Sequence, residues 1–177
     1  MNNEELLKNL RNVPDFPHKG IMFYDVTTLF KNAEAMGEIA DRMYDLYKDK
    51  GITKVVGIES RGFIMATVLA SRLKVGFVPI RKPGKLPAET IEESYDKEYG
   101  RDTIQMHKDA IDANDIVLIH DDLLATGGTT KAACDLVKQI NPRKIMLNFI
   151  IEMPELKGRE AFDKGIDVTA LLQVSGK

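Results

Sequence analysis

Apolar residues along this chain fall into two kinds of pattern. Lys54–Ile58, Gly76–Ile80, Ile116–Ile119, Lys144–Ile151 and Val168–Leu172 are short, nearly continuous apolar runs rich in β-branched side chains. Such runs read as strands buried on both faces, as in a parallel sheet. Between them the period changes. Met36, Ile39, Ala40, Met43, Leu46 and Tyr47 recur at helical spacing within Asn32–Lys50, where Asn32 can cap the start and Gly51 follows the end. Helices are also expected from Phe63 to Arg72, from about Thr130 to Ile140, over Asn3–Leu10 with Asn3 as cap, and from Pro154 to Phe162, where proline suits a first turn. Strands alternating with helices imply an α/β fold: an open, mostly parallel twisted sheet flanked by helices, one domain over residues 1–177.

Two stretches break the alternation. Val13–Thr28 is expected to be irregular at first, because Pro14, Pro17 and Gly20 deny it a helix. Ala88–Gln105 is polar and acidic and reads as a long hairpin with a flexible tip at Tyr95–Gly100. Long polar excursions from compact domains are often lids, here residues 86–106.

Composition narrows the function classes. The chain has 177 residues, 44% hydrophobic and 29% charged, enough for a full core. A net charge of −2 argues against a nucleic-acid binder that relies on a basic surface. No apolar run is long enough for a membrane span, and MNNEELLKNL has no signal-peptide core. Cys134 is the only cysteine, so no intrachain disulfide forms, which suits a reducing cytoplasm. His18, His107 and His120 are too scattered to form a metal motif. His120 itself reads as a hydrogen-bonded residue at a strand end.

The densest chemistry lies in Ile116–Thr130, IVLIHDDLLATGGTT. Asp121 and Asp122 fall where this strand is expected to leave the sheet, and the carboxyl ends of strands are where open α/β folds bind ligands. Ala125, Thr126, Gly127, Gly128 and Thr129 then form a glycine turn at a helix start, where unpaired N–H groups and the helix dipole favour a phosphate. The spacing matches neither a Walker A loop nor GxGxxG. Acids repel phosphate, so a ligand with hydroxyls at one end and a phosphate at the other resolves the pairing, and a ribose 5-phosphate is the natural candidate.

The DDLLATGGT segment resembles the phosphoribosyl-pyrophosphate (PRPP) signature of the type I phosphoribosyltransferases, in the form used by their adenine-specific family. Four further segments resemble that family in the same order: PDFP..GI.F.D near the N-terminus, SRGF, RKPGKLP and SYDKEYG. The resemblance implies an enzyme of purine salvage that transfers the phosphoribosyl group of PRPP to adenine, giving AMP and pyrophosphate. Phe23 would stack on the base, with Met22 and Tyr24 beside it, in an N-terminal base-binding segment over residues 1–30. Taken alone, Phe23 reads as a core residue. Arg61, Arg81, Lys85 and Tyr99 would face the pyrophosphate; taken alone, Arg61 reads as a surface ion pair. Asp121 and Asp122 would hold the ribose hydroxyls, residues 125–129 the 5′-phosphate, and Glu98 the proton exchanged at the purine. Mg²⁺ would arrive with PRPP rather than on protein side chains. Basic residues reaching a neighbouring subunit imply a homodimer.

Two alternatives remain at this level. The same core would serve hypoxanthine, guanine or xanthine, and only the Phe23 and Glu98 segments favour adenine. A PRPP-sensing regulator without catalysis would need a DNA-binding module, for which residues 1–12 leave no room.

Overall fold

The computed structural model describes residues 1–97 and 99–175. At its centre lies a five-stranded, wholly parallel sheet of β3 (Lys54–Ile58), β4 (Gly76–Ile80), β7 (Ile116–Leu124), β8 (Lys144–Glu152) and β9 (Asp167–Gln173). The spatial order is β4-β3-β7-β8-β9. Each strand was legible as an apolar run because helices cover both faces. Val55, Leu118 and Met146 pack on one face against α3 (Ala33–Tyr47) and α4 (Gly62–Leu73). Val56, Val117, Ile119 and Leu147 pack on the other against α5 (Gly128–Lys138). The chain leaves β3 through α4 to one side and leaves β7 through α5 to the other. The crevice between these two strand ends is a topological switch point, the usual ligand position in such sheets.

Local chemistry fixes the helix ends. The Asn32 side chain accepts from the backbone N–H groups of Glu34 at 3.0 Å and Ala35 at 3.1 Å, starting α3 where the period begins. In α1 (Asn3–Asn9) the cap is Asn2 rather than Asn3. Its side chain accepts from Glu5 N at 2.9 Å while the Glu5 carboxylate accepts from Asn2 N at 2.7 Å, a reciprocal box.

Four further expectations are corrected. Val13–Thr28 is more ordered than its prolines imply: β1 (Arg11–Pro14) and β2 (Met22–Asp25) pair antiparallel, and a short α2 (Thr27–Phe30) follows. Pro154–Phe162 forms two 3₁₀ turns, Pro154–Leu156 and Gly158–Ala161, because Lys157 between them is left-handed at φ 53°. The excursion is a hairpin, but its ladder of β5 (Thr90–Lys97) and β6 (Gly100–His107) runs on to Lys97↔Gly100, so most of the expected tip is paired strand. Asp121 and Asp122 do not lie beyond the strand. β7 continues to Leu124 because β8 continues beside it, with Asp121 opposite Phe149 and Leu124 opposite Glu152.

Candidate active site

The continuation of β7 is one-sided, and that makes the site. Its pairing with β3 ends at Gly57↔His120, while its pairing with β8 skips Asp122 and runs on to Leu124↔Glu152. Asp121 and Asp122 therefore lie beside β8 alone, with the ladder interrupted at Asp122, and face a gap where β3 has ended. Into this gap comes Arg61, which joins β3 to α4. A cleft of about 350 Å³ is lined there by Glu59, Ser60, Arg61, Lys82, Asp121 and Asp122, together with Thr129.

The charges in the cleft are tightly paired. Arg61 Nε donates to Asp122 Oδ2 at 2.6 Å; the Asp122 side chain is 5% exposed and that of Arg61 44%. Burial opposes the guanidinium charge, but Asp122, Asp121 and Asp25 together hold its pKa above the ordinary value. Asp121 behaves differently. Burial and the adjacent Asp122 charge push its carboxyl well above the usual carboxylate range. Its Oδ1 accepts from Asp122 N at 2.9 Å. Of the two neighbouring acids, Asp122 is the one paired with a cation, and Asp121 is biased toward its neutral form.

The Arg61 guanidinium also lies over the Phe23 ring, 5.4 Å from its centroid, and Phe16 meets the same ring edge-on at 5.0 Å. β2 thus carries Phe23 to the mouth of the acidic gap. Met22 is half-buried and packs on the α3–α4 side of the core. Tyr24 points the other way: it is 6% exposed and its hydroxyl donates to the Ser175 carbonyl. Only its backbone is left to face a ligand.

A smaller hollow of about 110 Å³, shaped by Leu123 to Thr130, shares Asp121 and Thr129 with the cleft. Gly127 begins α5 with φ 87°, and among the described residues no side chain caps this helix. Its first-turn N–H groups are free for an anion. The turn is shaped from below. A Cβ on Gly127 would lie 2.7 Å from the Gly158 carbonyl oxygen, and one on Gly158 would collide with the Ala125 carbonyl oxygen. Arg159 fixes that support: Nε and Nη2 each reach the Glu152 carboxylate at 2.8 Å, and Nη1 reaches the Val168 carbonyl at 2.8 Å.

The basic loop divides. Arg81 Nε lies 3.1 Å from Glu59 Oε1, which also accepts from Lys82 N at 3.1 Å. Although burial opposes it, these donors hold the Glu59 carboxyl below its ordinary range. Lys82 lines the cleft, whereas Lys85 is exposed outside its lining. Tyr99 is 83% exposed, and Glu98 lies outside the described residues. Glu59 had no role assigned from sequence, although its place at the end of β3 is where polar residues gather around a ligand. Tyr95 was missed as well. Its hydroxyl is 3.1 Å from Thr129 Oγ1, joining the hairpin to the glycine turn. Among the described residues no group of three or more His, Cys, Asp or Glu side chains is arranged to hold a metal ion.

His120 sits directly before the acids in β7 and is fully buried, with Nδ1 2.8 Å from Asn148 Oδ1. It is a hydrogen-bonded strand residue, as its position implied. Burial pushes its pKa down to about 4, against the opposing pull of Asn148 and Asp122.

Comparison with known proteins gives the family of the chain and of its fold. Residues 25–169 match the family model of the phosphoribosyl transferase domain. The chain is 65% identical to the adenine phosphoribosyltransferase of Bacteroides fragilis over 176 residues, 98% of this chain and 99% of that one. Its fold superposes on the crystal structure of adenine phosphoribosyltransferase from Rhodothermus marinus with a TM-score of 0.91 at 46% identity, covering 97% of each chain. The Saccharomyces cerevisiae adenine phosphoribosyltransferase, crystallised with D-2,5-dideoxy-2,5-imino-altritol 1,6-bisphosphate and adenine, gives a TM-score of 0.89 at 40% identity, covering 96% of this chain and 98% of that one. An acidic strand end, an arginine at the facing strand and an uncapped glycine turn thus lie in a chain that belongs to the phosphoribosyltransferase family and, within it, to the adenine phosphoribosyltransferases.

Proposed function

We propose that this enzyme transfers the 5-phosphoribosyl group of PRPP to adenine, releasing AMP and pyrophosphate, a purine-salvage step. The observation that carries the reading is the line Phe23–Arg61–Asp122, closed at its far end by the glycine turn. It offers an aromatic face, a cation, a carboxylate pair and free amides in the order in which a nucleotide and its leaving group need them.

In the reaction the bond from C1 of the ribose to the pyrophosphate oxygen breaks, and its electron pair departs with pyrophosphate. N9 of adenine bonds to C1, and the base gives up a proton. Positive charge grows on the sugar between these events. The negative field of Asp122 stabilises that charge, while Asp121 and Asp122 hold the 2′- and 3′-hydroxyls. Ala125, Thr126, Gly127, Gly128 and Thr129 hold the 5′-phosphate and so fix C1 beneath the base. Phe23 stacks on adenine, with the backbone at Met22 and Tyr24 along its edge. Arg61 faces the leaving group and Glu98 takes the base proton; Arg81, Lys85 and Tyr99, which lie outside the lining of the acidic cleft, reach the pyrophosphate as the ligand binds or from the neighbouring subunit.

The donor set around the cleft is made of oxygens, and Arg61 already occupies Asp122, which suits Mg²⁺ carried in on PRPP rather than caged by the protein. When bound, the ion neutralises the departing pyrophosphate oxygens. A homodimer, with basic-loop residues serving the neighbouring site, belongs to the same reading, as does a cytoplasmic location, in keeping with the single buried cysteine.

The test is to supply purified protein with PRPP and Mg²⁺ and, in turn, adenine, hypoxanthine, guanine and xanthine. AMP formation with adenine, and at most trace nucleotide with the others, is expected. Nucleotide from another purine with none from adenine would overturn the assignment.

A further inference from the structure

The Tyr95 hydroxyl stands between two partners that it cannot serve equally. It lies 3.1 Å from Thr129 Oγ1 and 3.3 Å from Asp102 Oδ2. Asp102 is also bound by Lys97 Nζ at 2.8 Å. A phenol has one proton, and so has a threonine hydroxyl. If Tyr95 donates to Asp102, the Thr129 proton must turn toward Tyr95 and away from the glycine turn. If Tyr95 donates to Thr129, the Thr129 proton is free to point into the turn. An anion seated there selects the second arrangement. Asp102 then relies on Lys97, which already holds it. All three side chains come from elements otherwise fixed: β5 is tied to α5 a second time, where Gln139 Nε2 donates to the Glu92 carbonyl at 2.9 Å. The hydroxyls can reorient without the backbone moving.

We propose that Tyr95 is a positioning residue for the 5′-phosphate. By donating to Thr129 Oγ1 it aims the Thr129 hydroxyl proton at the phosphate, and Asp102 competes for the Tyr95 proton when the site is empty. This rests on the reading of residues 125–129 as the phosphate seat. Ligands that carry the 5′-phosphate, PRPP and AMP, draw on this arrangement; adenine and pyrophosphate do not.

The experiment compares Tyr95→Phe, Asp102→Ala, Thr129→Val and the Tyr95→Phe/Thr129→Val pair. Dissociation constants for AMP and pyrophosphate are measured by titration, and KM for PRPP and adenine by steady-state kinetics. Tyr95→Phe is expected to weaken AMP and raise the PRPP KM about five- to tenfold, the range for one lost hydrogen bond, with pyrophosphate and adenine unchanged. Asp102→Ala should leave AMP binding unchanged or tighter, because it removes the competitor. The pair should bind AMP no worse than Thr129→Val alone. Equal weakening of all four ligands by Tyr95→Phe, or weaker AMP binding in Asp102→Ala, would overturn the inference. So would unchanged AMP binding in Tyr95→Phe while Thr129→Val weakens it. Unchanged AMP binding in Thr129→Val would overturn the inference as well, because the hydroxyl then does not serve the phosphate; unchanged AMP and PRPP binding in Gly128→Ala, which crowds the backbone amides themselves, would instead overturn the phosphate seat.

Discussion

Arg61 Nε lies 2.6 Å from Asp122 Oδ2, so the cation proposed to meet the leaving group is held by the carboxylate proposed to meet the sugar. The same guanidinium covers the Phe23 ring. A nucleotide entering the cleft must take Arg61 from both. On the proposed reading the cation goes to the pyrophosphate, and Asp122 is left with the neutral ribose hydroxyls until positive charge grows on the sugar. Truncating Arg61 to alanine leaves Asp122 without its partner and the leaving group without a donor. Arg61→Ala is expected to lower kcat/KM by about 10²–10³-fold, the range for losing one well-placed charged donor. Arg61→Lys should recover only part of this, because an ammonium lacks the planar fork. Steady-state kinetics with PRPP varied would show it.

The phosphate turn makes a second prediction through three glycines of different kinds. A Cβ on Gly127 would meet the Gly158 carbonyl oxygen and one on Gly158 the Ala125 carbonyl oxygen and Leu124, so neither position tolerates one, and Gly127 is also left-handed at φ 87°. Gly158→Ala and Gly127→Ala should each cost stability, about 1–3 kcal/mol for overpacking, and raise the PRPP KM. A Cβ on Gly128 meets nothing within 4 Å. Gly128→Ala should therefore leave the thermal midpoint near wild type while still weakening PRPP and AMP, since the open space is where the ligand approaches. Thermal denaturation beside AMP titration separates the two behaviours.

What could be read from the sequence follows from how local each feature is. β7 and β8 announced themselves because both faces are covered, and α3 because its period and its Asn32 cap agree. The β1–β2 pair did not, since Pro14 and Pro17 mark a break locally while pairing such as Val13↔Phe23 is made across the intervening loop. The run of two acids reads as the end of β7 because charge usually marks an exit from the core. Whether the strand goes on is decided by β8, a partner that local polarity does not report. The helix expected from Pro154 failed at Lys157, whose left-handed backbone splits it and delivers Gly158 to the phosphate turn. The motifs named Arg61, Asp122 and the glycine turn, and the fold sets Arg61, Asp122 and Thr129 around one cleft. The motifs gave no hint that Arg61 and Asp122 hold each other, or that Tyr95 reaches Thr129, because those contacts depend on side-chain directions set by the fold.

Phe23 yields a prediction specific to the base. Its ring stands at the mouth of the cleft, backed edge-on by Phe16 and faced by Arg61. Stacking a base on an aromatic ring contributes about 1–3 kcal/mol. Phe23→Ala should raise the adenine KM about 10- to 100-fold while the PRPP KM changes little. Phe23→Tyr, which keeps the face, should stay close to wild type. Equal effects of Phe23→Ala on both substrates would show that the ring supports the fold rather than the base.

His120 gives the pH dependence of stability. Its imidazole is fully buried against Asn148, and burial pushes its pKa down from 6.5 to about 4. The unfolded chain therefore binds this proton below pH 6.5, while the folded chain refuses it until about pH 4. Between those values the unfolded state holds more of this proton, so the His120 contribution to stability is full above pH 6.5 and is lost as pH drops toward 4, while the raised carboxyl of Asp121 acts in the opposite direction. A shift of this size corresponds to about 3 kcal/mol across the window. His120→Val removes the titrating group and suits a buried strand. It also leaves Asn148 short of a partner, so its stability at pH 7 is expected to be lower than wild type. The diagnostic quantity is the slope. Urea unfolding of both proteins at pH 7.0, 5.5 and 4.5 should show wild type losing stability more steeply than His120→Val as the medium is acidified. Parallel slopes would mean that His120 takes up its proton in the folded protein as readily as in the unfolded chain.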